Sequence, residues 1–288
     1  MSAIGRSAVS LLASGVRAGV TSLRSLAWEL RDGHAAERGL RFLFYHRVAD
    51  DRDELAVTPL RFREQMAFLA HEGYHVTDVV TATGLLRRGD CPTRVIALSF
   101  DDGYRDVAEN AMPILETYGF RATVFVVPGA VDGRAVFSWY ARQPPLLQWV
   151  DIVALDTRSP LAFEAHSVTH PNLPALPDEA ARAEIVDSKA QLESHLRRDV
   201  QAFCYPSGLF GPRERAFVAA AGYTTAVSCE PGVNDPATDR FALHRTQIFP
   251  HDRLLDFRAK VAGAHDSPLL LRRVYRKVRY GAPMRRSA

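Results

Sequence analysis

The sequence predicts an α/β protein: a parallel sheet or barrel with helices on its outside. Between residues 40 and 265, apolar runs of strand length alternate with segments of helical periodicity. Parallel strands joined by helical crossovers require that pattern. No internal repeat or low-complexity linker interrupts the stretch, so it reads as one domain. Chemistry-bearing side chains also fall where the apolar runs stop, at the carboxyl ends of strands, where such folds place their sites. They are His46, the pair Asp101-Asp102, His166 with His170, and the turn Tyr205–Gly208.

Arg41–His46 (RFLFYH) is the first strand candidate. Thr58-Pro59 then offers an N-cap and an N1 proline to a helix whose apolar face includes Leu60, Met66, Phe68 and Leu69. Val95–Phe100 (VIALSF) reads as a buried strand that runs straight into two carboxylates and a glycine. Asp106–Tyr118 is helical and is stopped by Gly119 as a C′ residue. Ala122–Val127 (ATVFVV) is a strand ended by Pro128-Gly129, and Leu161–Ala165 is the next strand. Asp178–Leu196 is a strong helix with Ile185, Leu192 and Leu196 on one face. Ala202–Tyr205 is a short strand, Pro212–Ala221 a helix closed by Gly222, and Tyr223–Val227 the last strand.

With 288 residues, 47% apolar and 24% charged, the chain has enough material for a sizeable core. Cys91, Cys204 and Cys229 are widely spaced and form no C-x-x-C pair, which argues against a disulfide framework or a zinc knuckle. They read as small buried hydrophobes, with a reducing compartment preferred. The net charge of +3 conceals an asymmetry: residues 1–31 carry +3, residues 267–288 carry +7 with no acid, and the body carries −7. An acidic body argues against a general nucleic-acid binder, whereas basic ends suit an anionic surface.

Two adjacent carboxylates at the mouth of a core strand repel, and each would rather be in water. An Asx turn or N-cap explains one of them but not both. Neighbouring side chains at a strand end point to different sides, so one carboxylate could bind a cation while the other faces a substrate as a base. A dication would also relieve the repulsion. In Glu164–Pro171 (EAHSVTHP), two histidines lie four apart, and the flanking prolines argue for a turn after a strand. Two imidazoles converging with a carboxylate make a divalent-metal site with positions left for water and substrate.

SFDDG, HSVTHP and the YPSG turn, with YHRV near the start and TVFVVPG after the first motif, resemble the polysaccharide deacetylase family (NodB-homology, carbohydrate esterase family four). The likeness runs from about Phe42 to Ile248. It implies a deformed (β/α) barrel of the NodB-homology type, here with helical N- and C-terminal extensions. It also implies a divalent metal, usually zinc, held by Asp102, His166 and His170, with Asp101 as general base. The metal would polarise an amide carbonyl and acidify water while Asp101 takes the proton. The oxyanion donor expected from the third motif is a backbone N–H within Tyr205–Gly208, best that of Ser207.

The sequence departs from that pattern. Cys204 stands where the third motif commonly has an arginine, and Ser207 where it has an aromatic residue. An arginine that would orient the base is therefore missing locally, and Arg245 is its one candidate replacement. The fourth motif, an aspartate–tryptophan element, is not found. The resemblance implies a histidine as general acid: His46 of the early YH element is favoured over the late His244, because a strand-end position suits the role. His34, His71, His75, His195, His251 and His265 fit no motif and read as structural. Trp139, Tyr140 and Trp149 are candidate sugar-stacking groups.

The expected organisation is a basic amphipathic extension over residues 1–38, a catalytic domain over 39–265, and a basic helical tail over 266–288. At 100° per residue, Ala8, Leu11, Leu12, Val16, Val20, Leu23 and Leu26 fill half of a helical wheel. Arg6, Arg17, Arg24 and Arg31 cluster beside that arc, and Leu270, Leu271, Val274, Tyr275 and Val278 repeat the pattern against the arginines of the tail. Basic amphipathic helices suit peripheral contact with an anionic membrane. No run of residues is apolar and long enough to span one, and the interrupted first 20 residues argue against secretion. The expectation is a cytoplasmic enzyme, peripheral at the inner face, that deacetylates an N-acetylated amino-sugar glycan. A non-sugar amide, an N-formyl substrate and an inactive glycan-binding relative are the alternatives. A two-histidine, one-carboxylate iron oxygenase shares the ligand set but expects an all-β scaffold.

Overall fold

The structure, a computed structural model, describes residues 3–30, 39–89 and 93–266. His34, Cys91 and the basic tail over residues 267–288 lie outside the described residues. The chain opens with helix α1 (Ala3–Glu29), then β1 (Leu40–Tyr45) and two short strands, β2 (Arg47–Val48) and β3 (Ala56–Val57). Helix α2 (Pro59–His71), β4 (His75–Thr77), α3 (Val79–Arg88) and β5 (Val95–Phe100) follow. Next come α4 (Met112–Tyr118), β6 (Ala122–Val126), α5 (Pro128–Val131), α6 (Trp149–Arg158) and β7 (Leu161–Ala165). The last part contains α7 (Asp178–Leu196), β8 (Ala202–Cys204), α8 (Pro212–Ala220), β9 (Thr225–Val227), β10 (Val233–Asn234), β11 (Thr246–Gln247) and α9 (Leu254–Val261).

Strands β1, β5, β6, β7, β8 and β9 are parallel neighbours in that order. The sheet curls into a deformed barrel. Leu243 bridges to Val227 at the β9 edge, and Thr246 and Gln247 pair with Leu43 and Phe44 of β1. The five residues Leu243–Gln247 thus form the seam between the first and last strands.

Strand alternation sorts the side chains. Leu40, Phe42, Ala97, Phe125, Ala202, Cys204, Val227 and Leu243 form one buried cluster, closed by Val79, Ala82 and Leu86 of α3. The larger cluster, including Leu43, Tyr45, Leu98, Val124 and Phe163, packs against the outer helices. Helix α3 is capped by Asp78, whose carboxylate accepts from Thr81 N at 2.8 Å, and Val79 N donates to Thr123 Oγ1 at 2.9 Å.

The expected helix Asp106–Tyr118 is two pieces. Val107–Ala111 is a single π-helical turn, and the α-helix begins only at Met112. Pro113 is the cause: it has no N–H to donate to the carbonyl four residues back. Elements β4, α3, α6 and α9, which are not among the expected elements, are present in the structure. Among the described residues, no helix is long and apolar enough to cross a membrane.

Candidate active site

Alternation along β5 turns Ala97, Ser99 and Asp101 toward one face. Asp101 and Arg245 are buried and form a bidentate ion pair: Nη1 donates to Oδ1 at 2.7 Å and Nη2 to Oδ2 at 2.8 Å. Arg245 comes from the seam between the two ends of the sheet. Its Nε donates to Ser228 O at 2.8 Å, Nη1 also to Ser99 Oγ at 3.0 Å, and Nη2 also to Cys204 Sγ at 2.9 Å. All five guanidinium protons are thereby used. The guanidinium lies 4.2 Å from the centre of the Phe44 ring, so the cation rests on an aromatic floor.

Burial alone would raise the Asp101 pKa, but Arg245 outweighs it and holds the carboxyl down at about 2. Asp101 is ionised at any physiological pH. Asp102 is the opposite case. At the strand end its φ of +75°, followed by Gly103 at +76°, swings the chain into the left-handed region. Both Asp102 carboxylate oxygens are buried without a hydrogen-bond partner. Burial and the neighbouring Asp101 charge push its pKa far up. An orphaned carboxylate of this kind needs a cation.

Two imidazoles face it. His166 Nε2 lies 3.6 Å and His170 Nε2 3.8 Å from Asp102 Oδ1. One ligand atom from each of the three residues falls within 4.8 Å of the others. His166 Nδ1 is hydrogen-bonded to Cys204 O at 2.8 Å, which fixes the tautomer and aims Nε2 at the cluster. Burial holds the His166 pKa down at about 4 and lowers that of His170 well below the usual value. Both rings are therefore in the neutral form a metal requires. The donor set, one carboxylate and two neutral imidazoles, fits a divalent cation.

The loop carrying His170 is built with care. Ser167 and His170 both have positive φ, 60° and 59°, and Ser167 Oγ accepts from His170 N at 3.0 Å. Glu184 of α7 accepts from Val168 N, Thr169 N and Thr169 Oγ1 at 2.8, 2.8 and 2.6 Å. Gly129 N donates to Val168 O at 2.8 Å, and a Cβ at Gly129 would lie 2.6 Å from that oxygen. The proline–glycine after β6 is therefore a bed for the histidine loop as well as a strand stop. Gly129→Ala is expected to displace this loop and weaken any binding of an added divalent cation, with zinc as the probe, about 10- to 100-fold, the range for lost support of metal ligands. Titration against a competing chelator measures it; unchanged affinity would show that the loop is held without the glycine.

His46 follows the end of β1, and its imidazole feels the charges of Asp101 and Arg245. Burial lowers its pKa and the Asp101 carboxylate pushes back. His244 is elsewhere. Because Leu243 and Arg245 turn inward, His244 turns outward, where its ring abuts Gly232 and feels Asp266 and Asp235. The structure does not bring it to the carboxylate pair.

The Tyr205–Gly208 turn also divides. With Cys204 inward, Tyr205 points outward; its hydroxyl donates to Phe241 O at 3.0 Å and its ring stacks on Phe210 at 4.3 Å. Tyr205 N donates to Val227 O and Gly208 N to Tyr205 O, at 3.2 and 2.7 Å. Gly208 is needed for packing, since a Cβ there would lie 2.5 Å from Cys229 N. Ser207 sits between them at a φ of +54°.

Cys204 is a polar partner of Arg245 as well as a buried small residue, a role the sequence did not suggest. Trp139 stacks on Phe137 at 4.7 Å and meets the His170 ring at 5.1 Å. Trp149 instead stacks on His195 at 3.8 Å and donates to Asp132.

Residues 88–226 match the family model described as polysaccharide deacetylase. YxkH of Bacillus subtilis (strain 168), named for the same family, is 24% identical over 212 residues, which cover 73% of this chain and 72% of that one. The poly-beta-1,6-N-acetyl-D-glucosamine N-deacetylase of Staphylococcus aureus (strain MSSA476) is 20% identical over 210 residues, 72% of each chain. Among solved structures, the Streptococcus pyogenes deacetylase PplD in complex with acetate has a TM-score of 0.69 at 23% identity, covering 78% of this chain and 99% of that one. IcaB from Ammonifex degensii also has a TM-score of 0.69 at 23% identity, covering 81% and 100%. The structural likeness is one of fold.

Proposed function

We propose that this chain, which belongs to the polysaccharide deacetylase family, is a metal-dependent N-deacetylase of an amino-sugar glycan. The observation that carries the reading is the contrast between two neighbouring carboxylates. Asp102 is buried without a hydrogen-bond partner beside two neutral imidazoles, and Asp101 is kept ionised by Arg245.

Asp102, His166 and His170 would hold the divalent cation, with zinc the usual ion of the family. Bound there, it supplies Lewis acidity toward the acyl carbonyl and lowers the pKa of water. Asp101 accepts the proton of the attacking water, and the two-point grip of Arg245 fixes the plane of its carboxylate. His46 gives a proton to the departing amine; its ring gains that proton most readily while Asp101 remains charged. The Ser207 amide is the candidate donor to the oxygen that becomes negative as the carbonyl is attacked. Trp139, 38% exposed beside His170, offers an apolar face on which a sugar ring can stack. The Staphylococcus aureus relative is named for poly-N-acetylglucosamine, and that polymer is the first substrate to try.

The test is acetate release from β-1,6-linked N-acetylglucosamine oligomers, before and after chelation and after zinc is restored. Release that stops on chelation and returns with zinc is the expected result. Release indifferent to chelation removes the metal from the reading, and no release from any N-acetylated glycan removes the substrate class.

A further inference from the structure

Helix α1 docks on the domain through a face that includes Thr21, Ser25 and the partly buried Trp28, and leaves an apolar stripe exposed. Thr21 and Ser25 are buried, and Ser25 Oγ meets His265 Nε2 at 3.2 Å, just past α9. At about 100° per residue, the opposite side of the helix carries Val16, Leu23, Leu26 and Leu30 within one arc of roughly 80°. These four are 60%, 69%, 47% and 77% exposed, so an apolar stripe faces out while Thr21, Ser25 and the partly buried Trp28 face in. Among the described residues nothing covers the stripe, and a helix that packed only on the described domain would bury such a stripe.

A second observation says what the stripe meets. His265 and Asp266, the latter paired with Arg41 at 2.7 Å, end the described chain next to α1. The 22 residues that follow, 267–288, carry Arg272, Arg273, Arg276, Lys277, Arg279, Arg285 and Arg286 and no acid. Residues 1–31 add a further excess of three positive charges. An exposed leucine stripe and a polybasic segment that begins beside it complement a surface that is apolar within and anionic at its rim. We infer that α1 lies in the headgroup region of an anionic lipid bilayer, with the basic tail supplying the charge attraction. A single face of this kind gives peripheral, reversible attachment and does not span the membrane.

The experiment is co-sedimentation of the full chain with phosphatidylcholine vesicles containing about 30% phosphatidylglycerol, against pure phosphatidylcholine, at low and high salt. Binding is expected to be at least about tenfold stronger to the anionic vesicles and to fall steeply with salt. Leu23→Glu/Leu26→Glu, two exposed positions, is expected to weaken it by about tenfold or more while circular dichroism stays unchanged. Failure of the full chain to bind at low salt overturns the inference. So does equal binding by the double variant, which would leave the stripe without a part in it. A dimer that dissociates in the double variant, with no vesicle binding, would assign the stripe to a second copy instead.

Discussion

Asp101→Asn is expected to lower kcat/KM for deacetylation by about 10³-fold while the content of bound metal stays that of the parent. The magnitude is that of a lost general base, about 10²- to 10⁴-fold. The separation of the two effects follows from geometry. Asp101 is paired with Arg245, whereas the candidate ligands are Asp102, His166 and His170. Asparagine keeps an oxygen for Arg245 but cannot take a proton at neutral pH. Arg245 remains buried with its charge half-answered, so some stability is lost as well, and activity must be compared at a temperature where both proteins are folded. The informative pair of measurements is metal content and single-turnover rate. A variant that keeps its metal and retains more than about a tenth of the rate would falsify the assignment of Asp101 as the base.

Much of this site is legible in the sequence because strand ends announce themselves. VIALSF stops at Asp101-Asp102, and LAFEA stops at His166, so the paired carboxylates and the first histidine are placed by apolar runs alone. What the sequence does not carry is everything set by closure of the barrel. Arg245 reaches Asp101 across 144 residues because the seam Leu243–Gln247 brings the last strand to the first. Local pattern can nominate Arg245 but cannot bring it to the carboxylate.

The same limit separates His46 from His244, since only the inward turn of Arg245 shows that His244 faces the other way. Glu184 was missed because nothing in an amphipathic helix distinguishes a carboxylate that pins a distant loop from one that is merely solvated. The direction of α1 is a further case: periodicity defines its apolar face but not whether that face turns in or out.

Arg245→Ala tests how the chain manages with Cys204 where the deacetylases it resembles commonly have an arginine. The small thiol at 204 leaves space, and Arg245 fills it from the seam, donating to Cys204 Sγ at 2.9 Å on its way to Asp101. Removing it strands a buried carboxylate, which costs about 3–5 kcal/mol. With the Arg245 charge that held it near 2 removed, burial dominates and raises the Asp101 pKa above its unfolded value.

In the parent the depressed pKa contributes stability that is present above the unfolded carboxyl pKa and lost as pH falls toward 2. In the variant that contribution is gone, so the stability gap between the two proteins is widest at neutral pH and narrows as pH falls, first through the variant's raised Asp101 pKa and then from the unfolded carboxyl pKa down toward 2. The acidic limb of kcat/KM shifts upward in the same variant, because a larger fraction of the base is protonated at each pH. Arg245→Lys restores the charge without the two-point grip. It is expected to recover most of the stability and to return the acidic limb toward that of the parent, while kcat stays reduced by about tenfold for want of a fixed carboxylate plane. If alanine and lysine at 245 leave the acidic limb where the parent has it, Arg245 is a packing residue and the charge on Asp101 is maintained by the metal alone.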